Sequence, residues 1–100
     1  MKKETSEDQI KQWKEKHGDV FIITADDGKK AILKKADRNA IKFAMSRLAE
    51  KDLLGYVESI VTNCWLDGDE EMKTEPEYHI GMMKIIDQVV GSKNVELKKS

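Results

Sequence analysis

The sequence predicts an α+β fold in which an N-terminal helix and a β-hairpin precede two to three helices packed on the small sheet. Three observations carry that expectation. Residues 20–23 form an apolar, β-branched run followed by the turn pair Asp27-Gly28, apolar residues from Ile41 onward recur at helical spacing, and Pro76 stands where a helix starts. A hairpin followed by helices places the helices together on one face of an antiparallel sheet.

Ser6 and Gln9 have the spacing of a capping box and open a short helix over 7–16, with Ile10 and Trp13 on one face. Gly18 stops it. Residues 19–24 then hold Val20, Phe21, Ile22 and Ile23, and residues 30–35 hold Ile32 and Leu33, so the Asp27-Gly28 turn joins two strands. The first strand is apolar on both faces. One face is expected on the helices, the other against the N-terminal helix or a partner, with an unpaired edge. Asp37 can cap a helix running to about residue 51, with Ile41, Ala44, Met45 and Leu48 in one stripe and Phe43 pointing away. Asp52 can begin another through residue 66, with Leu53, Tyr56, Val57, Ile60, Val61 and Cys64 on a broad arc and Gly55 weakening its first turn. Residues 37–66 read either as two helices or as one bent helix. Thr74-Glu75-Pro76-Glu77 combines a capping box with a first-turn proline and starts a last helix ending at Gly91, after which the tail from Ser92 is expected to fray. No repeat or low-complexity tract interrupts the pattern, so residues 1–100 are expected to form one domain with loose ends at about 1–6 and 92–100.

A chain of 100 residues buries roughly three fifths to two thirds of its unfolded surface, enough for one core. The net charge of −1 draws neither nucleic acid nor anionic lipid to the molecule as a whole. The charge is strongly segregated, however. Residues 29–51 carry eight basic side chains and two acids, a net +6, whereas residues 67–77 carry six acids and one lysine, a net −5. Cys64 is the only cysteine, which precludes an intrachain disulfide and suits a reducing compartment. The polar start and the lack of an apolar run near the ~20 residues that span a bilayer lead to an expected cytoplasmic location.

Cys64 and His79 are the nearest approach to a nucleophile and base, but no glycine-rich elbow or orienting acid accompanies them, so no enzyme is expected. Cys64 and Trp65 are read as structural residues closing an apolar helix. His17, His79 and Cys64 do not make a zinc set, and Asp67-Gly68-Asp69-Glu70-Glu71 lacks the glycine and terminal glutamate of a calcium loop. The expectation is a solvated acidic loop, with no metal and no cofactor. The basic segment of Lys29, Lys30, Lys34, Lys35, Arg38, Lys42 and Arg47 lacks interleaved aromatics other than Phe43, so a solvated face is expected in preference to a nucleic-acid site. In the last helix Tyr78, Met82, Ile85 and Val89 form one stripe beside Met83, Ile86 and Val90, with Ile80 further round. That arc is wide enough to serve both a core and another chain, with Tyr78, Met82, Met83 and Ile86 as the expected partner-binding residues. A helix sandwiched inside the domain is the competing reading.

Trp13-Lys14, His17-Gly18, the strand at 20–23, Asp27-Gly28-Lys29, Arg38 and the run Asn63-Cys64-Trp65-Leu66-Asp67-Gly68-Asp69-Glu70-Glu71 together resemble small phage and prophage proteins of the tail assembly chaperone type. The resemblance covers about residues 9–90, and the chain departs from it at Ala36, where the related pattern often has proline. It implies a non-enzymatic assembly factor without cofactor, acting in the host cytoplasm. Such a factor keeps the tape-measure protein soluble, helps tail-tube subunits assemble around it, and self-associates. A head-tail connector component or a nucleic-acid-binding accessory protein are the alternatives.

Overall fold

The computed structural model of the chain describes residues 7–91 and 95–99; Ser6 of the expected capping box and Ser92 of the expected fraying tail lie outside them. The elements are α1 (Glu7–His17), β1 (Val20–Thr24), β2 (Lys30–Lys34), α2 (Arg38–Ala49), α3 (Leu53–Cys64), β3 (Trp65–Gly68), α4 (Glu70–Thr74), α5 (Pro76–Met82) and α6 (Ile86–Val90). The α+β class and the hairpin are as expected. Gly18 ends α1 with φ +83 and Gly28 turns the hairpin with φ +88.

The sheet is antiparallel in the order β1-β2-β3. Phe21 pairs with Leu33 and Ile23 with Ala31. These four side chains therefore share the face on which the helices pack, and Ile22 and Ile32 share the other. Ala31 and Leu33 are fully buried, and around them the core gathers Ala40 and Ala44 of α2, Tyr56, Val57, Ile60, Val61 and Cys64 of α3, Met72, Met82, Ile86 and Val89. Small residues at 40 and 44 let α2 lie close to α3, the most extensive helix pair, while α1 packs against β1. The phenol of buried Tyr56 is held above its ordinary range by burial and then by the Asp87 carboxylate, which ties α3 to α6.

Two expectations are corrected, and the alternative left open for residues 37–66 is resolved. Residues 65–68 are neither the end of a helix nor part of a solvated loop. The chain leaves α3 at Trp65, with φ −63 and ψ 128, and forms β3 against the far edge of β2. Ala31 pairs with Gly68, Ile32 with Asp67 and Leu33 with Trp65, so Leu66 is the extra residue of a bulge. Asp69 then clasps Lys30: its backbone N–H donates to the Lys30 carbonyl at 2.8 Å and its carboxylate accepts from the Lys30 N–H at 2.8 Å. The cause is burial, since β2 lies too deep for water to satisfy its second edge.

Residues 37–66 are two helices, parted at Lys51 with φ 63. Asp37 accepts from the Ala40 N–H and Asp52 from the Gly55 N–H, each at 2.8 Å. Gly55 does not merely weaken the turn. A Cβ there would lie 2.1 Å from the Asp52 carboxylate, so the glycine makes room for the cap.

The last helix is broken into pieces. The Thr74 hydroxyl donates to the Glu70 carbonyl within α4, and no side chain caps α5, so the expected capping box is absent although Pro76 does open the helix. Between α5 and α6 the Met83 and Ile85 N–H groups donate three residues back, to Ile80 and Met82. That tightened turn re-aims α6 so that Met82, Ile86 and Val89 all enter the core.

The Gly68 position gives a direct stability test. Its φ is +138, and an added Cβ would stand 2.4 Å from the Lys30 carbonyl oxygen, which belongs to backbone and cannot swing aside. Gly68→Ala is expected to destabilise the domain by roughly 2–4 kcal/mol in urea unfolding. An unchanged midpoint would mean that β3 does not pair with β2 in solution.

Candidate protein-binding surface

Cys64 is fully buried, and burial pushes its thiol up to about 11. It is therefore protonated at neutral pH and packs as a small apolar group. Trp65, read from sequence as part of the helix end, lies part-buried in β3 with the Lys73 ammonium 5.8 Å from its ring centre. His79 is completely buried in α5, and neither ring nitrogen meets a hydrogen-bond partner among the described residues. No group of three or more His, Cys, Asp or Glu side chains among the described residues is placed to hold a metal ion.

The two charged segments meet each other. The Lys29 ammonium lies 2.5 Å from the Glu71 carboxylate, which raises the lysine above its ordinary value. Arg47 lies 3.7 Å from Asp52 and 5.6 Å from the Phe43 ring centre. The remaining basic side chains are spread over β2 (Lys30 and Lys34), the link that follows it (Lys35) and α2 (Arg38 and Lys42). Beside Lys29, the Tyr78 hydroxyl donates to the Asp27 carboxylate at 2.5 Å and so joins the hairpin turn to α5. That bond lowers Asp27 below its ordinary 3.8 and raises Tyr78 to about 12.

Of the four expected partner-binding residues, Met82 and Ile86 are only 2% and 1% exposed and belong to the core. They offer almost no surface, because the turn at residues 83–85 brings Met82, Ile86 and Val89 into the core and leaves Ile85 outside it. Tyr78 and Met83 are part-buried against the core. The exposed apolar residues of this region are Ile80 and Ile85. Tyr78, Gly81 and Ile85 form one wall of a groove of about 450 Å³, with Ile23 and Ala25 opposite, Met72 and Met82 beneath, and Asp26, Asp27 and Glu77 along the rim.

A second apolar surface lies on α2, where sequence periodicity placed core. Ile41 packs against the core, but further along the same stripe Met45 and Leu48 are 45% and 41% exposed, and Leu53 at the start of α3 is 48% exposed. The stripe continues past the reach of its neighbours. Phe43, on another side of α2, is also exposed and flanks a polar hollow between the two helices lined by Asn39, Glu58, Thr62 and Asn63. None of the helices among the described residues is long and apolar enough to cross a membrane.

Two outcomes are expected here. His79→Leu should stabilise the domain by about 1–2 kcal/mol, since it removes two unsatisfied buried nitrogens; a loss of that size in thermal or urea unfolding would reveal an unrecognised polar role. The Tyr78–Asp27 bond should shape both limbs of the pH–stability curve. Asp27 is depressed in the fold, so its contribution is present above 3.8 and fades as pH falls through its folded value. Tyr78 is raised, so its contribution is present below 10.0 and is lost towards about 12. Tyr78→Phe should flatten both limbs, and an identical pH profile in the variant would refute the coupling.

Comparison with protein families, curated proteins and solved structures found no match to this chain.

Proposed function

We propose that the chain is a non-enzymatic assembly chaperone of the phage-tail kind, acting in the host cytoplasm, which holds an amphipathic helix of a tape-measure or tail-tube protein against its α2–α3 hairpin. The observation that carries this reading is the stripe Ile41, Met45 and Leu48, which begins in the core and continues into solvent, with exposed Leu53 at the start of the next helix. A helix pair with an open apolar seam accepts a third helix by the i, i+4, i+7 packing that joins the first two. Met45 adapts its shape to different clients. The seam is short, so the contact stays weak enough for a client to leave when its own assembly partner arrives. The sequence resemblance to tail assembly chaperones points the same way.

Met45→Glu with Leu48→Glu should leave fold stability within about 0.5 kcal/mol, because both side chains already face water. The same pair should lower client capture at least tenfold, or about 1.4 kcal/mol. The measurement is co-expression with tape-measure and tail-tube proteins followed by affinity capture. Undiminished capture by the double variant would remove the seam as the site. Failure of the unmodified chain to hold either client would remove the function.

A further inference from the structure

β1 has no strand on its outer side among the described residues. The hairpin determines which of its backbone groups face that side. The Asp19 carbonyl accepts from the Lys35 N–H, and the Ala25 N–H donates to the Lys29 carbonyl. Odd-numbered residues therefore bond to β2, and Val20, Ile22 and Thr24 turn their N–H and C=O groups to the open edge. The side chains of Ile23 and Ala25 line the groove whose other wall is α5. An open strand edge beside an apolar groove is the arrangement that takes up an extended segment, with its backbone on the edge and alternate side chains in the groove.

Gly81 supports this reading. Its φ is not positive, and an added Cβ would meet nothing within 4 Å, so the fold itself has no need of glycine there. Glycine within a helix is unfavourable relative to alanine. Its effect at this position is to keep the groove wall low.

The chain carries a segment that fits. Val95 is 88% and Leu97 100% exposed, in the alternation of a strand, and Lys98 and Lys99 follow them. Laid parallel to β1 with Leu97 beside Ile23, this segment brings Val95 alongside Phe21 and Lys99 alongside Ala25. Its lysines then approach Asp26 and Glu77, both exposed on the groove rim. The antiparallel direction carries the lysines away from those acids, so charge selects the parallel one.

We propose that residues 95–99 of one copy add as a parallel strand to the β1 edge of a second copy, with Leu97 in the groove between β1 and α5 and Lys98 and Lys99 against its acidic rim. The occupant is a second copy because the segment stands clear of its own domain, with every one of residues 95–99 exposed. Two copies that exchange these segments close a symmetric dimer. The contact uses neither α2 nor α3, so it stands or falls apart from the client-binding function.

The test is sedimentation equilibrium of the full chain. The unmodified protein should dimerise, more weakly at high salt. Leu97→Asp on the segment and Gly81→Gln in the groove should each raise the dissociation constant at least tenfold with an unchanged circular dichroism spectrum and melting temperature. Mixing these two variants should recover part of the association, since the segment of the Gly81→Gln chain meets the intact groove of the Leu97→Asp chain. Asp26→Lys with Glu77→Lys should weaken the dimer, and Lys98→Glu with Lys99→Glu in the same chain should restore it. A chain that remains monomeric at millimolar concentration overturns the proposal, as does a dimer indifferent to Leu97→Asp. A monomer in which Leu97→Asp speeds amide exchange along β1 also overturns it, because the segment then docks within one chain.

Discussion

Everything in this fold follows from the burial of β2. Ala31, Ile32 and Leu33 are at most 4% exposed, so their backbone groups must be satisfied by protein on both edges of the strand. The hairpin supplies one edge. The other must come from a distant part of the chain, and residues 65–68 are delivered there by α3, the most deeply embedded helix. That demand ends α3 at Cys64, places a bulge at Leu66, requires glycine at 68 where a side chain would strike Lys30, and recruits Asp69 to hold both backbone groups of that lysine.

The helices after β3 inherit the same constraint. With the chain brought to the far edge of the sheet, α4 and α5 return across α3, and α4 drops Met72 into the core. One continuous helix from Pro76 would present its wide apolar arc to two sides at once. The tight turn at residues 83–85 divides that arc, which buries Met82 with Ile86 and Val89 and leaves Ile80 and Ile85 outside. The burial of His79 with no hydrogen-bond partner among the described residues is a local cost of the arrangement, offset by the apolar area that α5 covers.

The sequence announced those features whose signals are local. The Asp27-Gly28 turn, the caps at Asp37 and Asp52, the stop at Gly18 and the burial of Cys64 all depend on chemistry within a few residues. β3 was hidden because Trp65 and Leu66 continue the helical periodicity of α3 and the strand has only four residues. Nothing intrinsic to Trp-Leu-Asp-Gly asks for a strand; the unsatisfied edge of β2 does, and it lies more than thirty positions away in the chain. The break after Met82 has no proline to announce it, and Gly81 just before it lies within α5 without the positive φ of a helix stop. Periodicity assigned Met82 and Ile86 correctly to an apolar arc, but an arc reveals which residues share a side and not which neighbour covers it. The same limit hid the exposure of Met45 and Leu48, whose stripe is regular while the core beneath it ends.

The division of labour among surfaces then has a physical logic. The two apolar surfaces are borne by different elements, α2 with the start of α3 in one case and the β1–α5 groove in the other, and neither is large. Isolated apolar residues on a surface rich in charge do not drive indiscriminate association, because each is flanked by groups that prefer water. Specificity therefore has to come from geometry and charge at the rim. On the groove side the acids supply it. Asp27 is already committed to Tyr78 and Glu71 to Lys29, which leaves the carboxylates of Asp26 and Glu77 beside an apolar floor to discriminate in favour of a segment that is apolar on alternate residues and basic at one end.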